Sequence, residues 1–396
     1  MYVFMSLLNQ FQQLDTCLSN TRDYWQRVAF DYLTLPFTDE LNHFLLSLDD
    51  SEVAVLDADQ NRLYDVFSEY IPHLSELASL TALPYTERPR ESVPFWLSNG
   101  IKGRKLIQLQ DFVSHVPEQQ LPVLEWCAGK GHLGRLMAHL GAPEVHAIEL
   151  QAGLCEQGIH SAKQQALNVT FSCANVLTDN TVPYFKAQQH AIALHACGAL
   201  HQTFIRRAAA GHCQKISLSP CCYHLFTEPT YQPMSEEVKH SKLTLSHSDM
   251  KLALQETVTA PDRIAVVRRK EVTWRLGFDA LRRECTDSEV YISVPSVNKS
   301  IFSGEFSDFC QWAAMQKNIN LPAEVNYDEY LLQGQKRKRI TDRIELVRHV
   351  FRRALEIWLV LDRGLYLQSA GYDVTLSEFC EKQLTPRNIL IHATRK

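Results

Sequence analysis

The chain has 396 residues, 40 basic and 45 acidic, for a formal net charge of −5, with 45% hydrophobic and 21% charged content. That length exceeds one comfortable core and predicts two or three domains, while the acidic balance excludes a protein basic all over, although not a local basic patch. No apolar run is long enough to span a bilayer, the opening MYVFMSLLNQF lacks a secretory leader's basic start and cleavage site, and eleven cysteines, with Cys221 and Cys222 adjacent, suit reduced thiols in a cytoplasm.

Residues 1–90 read as a helical N-terminal region. Leu63, Val66, Tyr70, Leu74, Leu77 and Leu80 recur at three- and four-residue steps, as one helix face does. Pro72 falls inside that run and predicts a kink or two successive helices. The stretch 81–94, with prolines at 84, 89 and 94, is the expected linker. From 95 to 230 the rhythm changes to short apolar runs, PVLEW (122–126), EVHAIEL (144–150), NVTFSCA (168–174), HAIALHA (190–196) and KISLS (215–219), separated by longer stretches that are helical after the first, second and fourth. This predicts an α/β, Rossmann-like core whose parallel sheet binds ligands beyond the carboxyl ends of its strands. Residues 231–396 are expected to add helices and closing strands. Pro261 precedes a helix to about Arg283, and YISVPSV (291–297) looks like a strand. A steady apolar stripe predicts one long helix from Ile340 to Leu367, and NILIHA (388–393) a final strand.

The loop after the first strand is the most informative stretch. Gly129, Gly131 and Gly134 satisfy G-x-G-x-x-G, and Glu149 ends the next strand twenty residues after Gly129. Glycines there let backbone approach a ligand closely. Dinucleotide enzymes and S-adenosylmethionine enzymes both use such a turn, and Glu125 separates them. Its carboxylate would repel a diphosphate but attract the sulfonium and ammonium end of S-adenosylmethionine. The expected cofactor is therefore S-adenosylmethionine, with a nicotinamide enzyme as the outsider. Glu149 would bind the ribose with Leu150 beside it. Asn175 would meet the adenine amino group, or else simply form a turn, and Val176 would cover the ring. Cys127 and Leu133 complete the loop's contribution.

The fourth strand ends in His195-Ala196-Cys197-Gly198, the fifth in Pro220-Cys221-Cys222-Tyr223-His224. Methyl transfer is an in-line displacement, so the protein mainly positions the acceptor. His195 and His224 are available general bases, and Tyr223 could stack on a planar acceptor. Pro220, Cys221 and Cys222 belong to the same candidate catalytic turn. Cys197, Cys221, Cys222, His195 and His224 could supply zinc ligands, or the cysteines could be small buried apolar groups. The C-x-x-C spacing that would mark a zinc site is absent, and no metal is expected.

The run Glu125-Trp126-Cys127-Ala128-Gly129-Lys130-Gly131-His132-Leu133, then His195-Ala196-Cys197-Gly198 and Cys221-Cys222-Tyr223-His224, resembles a family of methyltransferase-like domains. That family includes proteins called glutathione S-transferase C-terminal-domain-containing and ribosomal RNA adenine dimethylase domain-containing. Leu361 to Gln368, Thr385-Pro386-Arg387-Asn388 and Ile101 to Lys105 have counterparts in the latter, and related signatures occur in a tRNA 2′-O-methyltransferase. The resemblance covers about residues 100–225. It implies Glu125, Gly129, Gly131 and Glu149 at the cofactor, Lys105 close by, and His195 near the methionine end. Cys127 stands where most methyltransferases place a first glycine.

Arg268, Arg275 and Arg282 lie seven apart, and Lys336-Arg337-Lys338-Arg339 is followed by Arg343, Arg348, Arg352 and Arg353. Such stripes are solvated surface or phosphate contacts. The second use makes RNA, a tRNA or rRNA, the favoured macromolecular acceptor over protein. A non-catalytic binding module is a further alternative.

Overall fold

The computed structural model describes residues 5–116, 120–255, 262–286 and 288–396. Pro261, expected to open a helix, lies outside the described residues. The chain divides into two compact units, one built from Met1–Asn20, Glu76–Val258 and Arg352–Lys396, the other from Thr21–Ser75 and Thr259–Phe351. The expected boundaries at 90 and 230 both fall inside the first unit's segment Glu76–Val258. The cause is non-local packing. The helix Leu7–Asn20 joins the first unit because Phe11 packs on Trp358 at 5.8 Å between ring centroids, and Asp15 accepts the Trp358 indole N–H at 2.8 Å.

The first unit carries a seven-stranded sheet: β1 (Val123–Trp126), β2 (Val145–Glu149), β3 (Val169–Cys173), β4 (His190–Cys197), β5 (Lys215–Cys221), β6 (Tyr372–Glu378) and β7 (Ile389–Arg395). Its order is β3-β2-β1-β4-β5-β7-β6. Strands β1 to β5 run parallel, whereas β7 lies antiparallel to both β5 and β6. All four residues of β1 are buried, as expected for a parallel strand covered on both faces. The helix Gly103–His115 contributes Leu109, Phe112 and Val113 to a core with Val123, Val145 and Leu136. Leu133 belongs to that core too. The expected final strand is β7. Its partner β6 was not expected, although Tyr372, Val374 and Leu376 alternate with polar residues as a half-buried strand does. The sheet is Rossmann-like, with the turns at the ends of β1, β2, β4 and β5 on one edge.

The second unit is helical. The helix Asp262–Cys285 supplies Trp274 and Phe278 to an aromatic core with Phe302, Phe306 and Phe309. Two expectations are corrected here. Residues 291–297 form no strand: Pro295 has no N–H for a ladder, and the Arg275 guanidinium instead takes the carbonyls of Val294 at 2.6 Å and Pro295 at 3.0 Å. The single long helix is two, Tyr327–His349 and Arg352–Ser369, and the break falls at the unit boundary. The run through Pro72 resolves into Gln60–Phe67 and Leu74–Thr81, the expected pair of helices. Residues 82–94 are irregular apart from one bridge between Tyr85 and Glu378.

Candidate active site at the carboxyl edge of the sheet

Glu125 lies one residue before the end of β1 and is only 4% exposed. One carboxylate oxygen accepts the Gly134 N–H at 2.9 Å. Burial pushes its pKa up to about 8, against the pull of that N–H and of the Lys105 and Arg135 cations. Beyond it the chain turns through Cys127 at φ 56° and Gly129 at φ 59°. Cys127 therefore holds the left-handed conformation that glycine adopts without steric cost. Burial, with Glu149 nearby, pushes its thiol up to about 12.

The three glycines do different work. A Cβ on Gly129 would meet no atom within 4 Å, so bare backbone faces open space. A Cβ on Gly131 would stand 2.5 Å from the Phe171 ring, and one on Gly134 2.4 Å from the Glu125 carboxylate. Those two seat the helix His132–His139 against its neighbours. Glu149, at the end of β2, ties the turn together: it accepts the Gly129 N–H at 2.9 Å and the Gln151 N–H at 3.1 Å. Leu150 follows it and is 59% exposed, an apolar surface beside the turn.

The remaining residues expected at the cofactor are placed less favourably. The Asn175 side chain accepts the Leu177 N–H at 3.1 Å, so it forms the turn that was its alternative role. Val176 is buried, and its carbonyl takes the Arg207 guanidinium at 2.9 Å. Leu133 is committed to the core. Lys105 is half-buried and sits in the field of Glu125 and Cys221; burial pushes its ammonium down. The Lys105 side chain makes no hydrogen bond or ion pair among the described residues.

At the ends of β4 and β5 the pairing register shifts between Leu194 and Ala196, and His195 bulges out at φ 62°. Its imidazole is pushed down to about 4 by burial, then by Lys105 and Arg387, so it is neutral near pH 7. Three thiols meet beside it. The Cys197 and Cys221 sulfurs are 3.2 Å apart, the Cys221 thiol donates to the His195 carbonyl at 3.2 Å, and the Cys222 sulfur completes a group in which all separations are within 4.8 Å. Hydrogen bonding with the other two thiols holds Cys222 down, whereas the same neighbours and burial push Cys221 up. The preceding Pro220 is buried in β5, opposite Ala196. Gly198 follows Cys197, and a Cβ there would meet the Leu225 carbonyl at 1.9 Å, so the loop after β5 closes directly on this backbone. His224 is half-buried, and its enclosed Nδ1 has no hydrogen-bond partner among the described residues.

Tyr223 requires correction as an acceptor-stacking residue. It is 1% exposed, with its ring at 5.8 Å from His201 and 5.1 Å below the Arg363 guanidinium. Arg363 also donates to His201 Nε2 and to the Tyr231 hydroxyl, each at 2.9 Å, while Asp362 accepts the N–H groups of Met234 and Ser235 at 2.8 Å. Arg387 is a site residue to which sequence reasoning gave no role. Its charge acts on both His195 and Cys222, and the only signal was its place in Thr385-Pro386-Arg387-Asn388.

The basic stripes are mostly internal. Arg282, Arg337, Arg343, Arg348, Arg352 and Arg353 are all buried. Asp279 alone takes Arg282 at 2.5 Å, Arg337 at 2.6 Å and Arg283 at 2.9 Å, and Arg353 pairs with Glu356 at 2.6 Å. Of the basic residues in those stripes, Arg268, Lys336 and Arg339 are exposed.

Residues 104–229 match the model of a methyltransferase domain. The glutathione S-transferase C-terminal domain-containing proteins of Macaca fascicularis and Homo sapiens are each 31% identical over 179 residues, 42% of this chain and 26% of theirs. The match thus spans about a quarter of those relatives' length. Among solved structures, the PH0226 protein of Pyrococcus horikoshii OT3 aligns with a TM-score of 0.27 at 16% identity, over 32% of this chain and 62% of its own. The expected resemblance to methyltransferase-like domains holds for this segment, the part that carries β1 to β5. Among the described residues no helix is long and apolar enough to cross a membrane.

Proposed function

We propose that this chain is an S-adenosylmethionine-dependent methyltransferase, with the donor in the crevice beyond β1 and β2 and the acceptor over the ends of β4 and β5. The observation that carries it is the bare Gly129 backbone facing open space, with Glu149 accepting its N–H and Glu125 buried at the end of the adjoining strand. Glu149, and a Glu125 carboxyl that a cationic ligand would ionise, suit S-adenosylmethionine better than a diphosphate. S-adenosylmethionine, when bound, supplies an electrophilic methyl group on sulfur. The chain's own part is to hold the ribose at Glu149, to face the cationic end with Glu125, and to orient the acceptor. His195 is a neutral imidazole at the acceptor end, able to take a proton from a hydroxyl or amine.

RNA is the acceptor we favour within this reading. With the arginine stripes internal, its support moves to Lys105 and Arg387, two cations at the reacting end that suit a phosphate-bearing acceptor. All eleven cysteines are free, in keeping with a reducing, cytoplasmic setting. The test is transfer of labelled methyl from S-adenosylmethionine into a cell extract, followed by separation into RNA, protein and small molecules. Label in RNA, lost with Lys105→Ala and Arg387→Ala, supports the full proposal. Label elsewhere moves the acceptor, and no label in any fraction removes the catalytic reading.

A further inference from the structure

We infer that Cys197, Cys221 and Cys222 hold a zinc ion at the carboxyl ends of β4 and β5. Their three sulfurs all lie within 4.8 Å of one another, with Cys197 and Cys221 at 3.2 Å. Thiolates bound tetrahedrally at about 2.3 Å from zinc stand about 3.8 Å apart, so small movements would seat the ion.

The backbone explains why adjacent cysteines can act together. Neighbouring side chains of a strand point to opposite faces, and Cys221 and Cys222 would ordinarily diverge. Cys222 instead adopts φ 46°, just past the end of β5, and its sulfur turns back to the group containing Cys221. A left-handed conformation costs a non-glycine residue about 1–3 kcal/mol and is kept where the surroundings over-determine it.

Charge and a free donor point the same way. Zinc with three thiolates carries a net charge of −1, and Lys105 and Arg387 supply positive charge around Cys221 and Cys222. His224, two residues after Cys222, keeps an enclosed Nδ1 without a hydrogen-bond partner among the described residues, but it lies outside the group of ligand atoms within 4.8 Å and would have to swing inward to serve as a fourth ligand. The site stands on these side chains alone, independent of the methyl-donor assignment.

The experiment is elemental analysis of the full chain, grown with zinc and desalted exhaustively, together with optical titration of zinc-depleted protein by cobalt. Zinc retained at one per chain, a thiolate-to-cobalt charge-transfer band, and loss of both in Cys222→Ser are expected. Substoichiometric zinc with no such band, or a Cys197–Cys221 disulfide found by mass spectrometry under non-reducing conditions, overturns the inference. Because the cobalt band is read on unaltered protein, a variant that misfolds does not blur the outcome. S-adenosylmethionine titrated calorimetrically into the same preparation shows separately whether the donor site stands.

Discussion

Replacing Glu125 by Gln should flatten a pH dependence of folding that the wild-type protein shows. In the unfolded chain this carboxyl loses its proton near 4.5, whereas in the folded protein it keeps it up to about 8. Its contribution to stability is therefore fully present below pH 4.5 and is lost progressively as pH rises toward 8. At about 1.4 kcal/mol per pH unit, the whole interval amounts to about 5 kcal/mol. His190, His195 and His392, pushed down to about 3, 4 and 4 by burial, tilt the curve the other way below pH 6.5. The informative quantity is thus the difference between wild type and Glu125→Gln, in which the histidines cancel. The glutamine carbonyl can still accept the Gly134 N–H, so the substitution changes charge rather than shape. Urea unfolding at intervals from pH 5 to 8 should show the wild type losing stability relative to the variant by several kcal/mol. Parallel curves would refute the claim that burial keeps this carboxyl protonated. A cationic ligand favours the ionised form, so S-adenosylmethionine should bind wild type more tightly as pH rises to 8. The ligand's own amino group titrates nearby, and again the difference from Glu125→Gln is the measure.

Cys127→Gly relieves the left-handed backbone and should change stability by less than about 1 kcal/mol, whereas Cys127→Val, a β-branched residue at φ 56°, should lose more than about 2 kcal/mol; thermal unfolding compares them. Asp279→Ala leaves Arg282, Arg283 and Arg337 without their shared carboxylate and should cost about 3–5 kcal/mol in chemical unfolding, with affinity for S-adenosylmethionine unchanged. Lys336→Ala, at an exposed position, should be neutral to within about 0.5 kcal/mol in the same assay.

What could be read from sequence was local. Strands β1, β2, β4 and β5 announce themselves because strands buried on both faces are short apolar runs, and the turn after β1 needs its glycines within a few residues of each other. The two-unit division could not be read, since it depends on Phe11 and Asp15 meeting Trp358 across more than three hundred residues of chain. The break after His349 contains neither proline nor glycine, so the apolar stripe ran on through it. Seven-residue spacing placed Arg275 and Arg282 on one helix face, but spacing cannot distinguish a face turned to water from one turned to Asp279. The burial of Tyr223 and the meeting of the three sulfurs share one cause. Strand alternation gives directions only while the backbone stays extended, and Cys222 leaves that region just before Tyr223. The same departure brings three sulfurs together without any C-x-x-C spacing.

Calorimetric titration of the purified protein asks whether the open backbone at Gly129 receives S-adenosylmethionine. Saturable heat is expected with S-adenosylmethionine and none with NAD, and the signal should vanish in Gly129→Val, whose side chain would enter the open space. No heat with S-adenosylmethionine, or equal binding by a folded Gly129→Val protein, would contradict it.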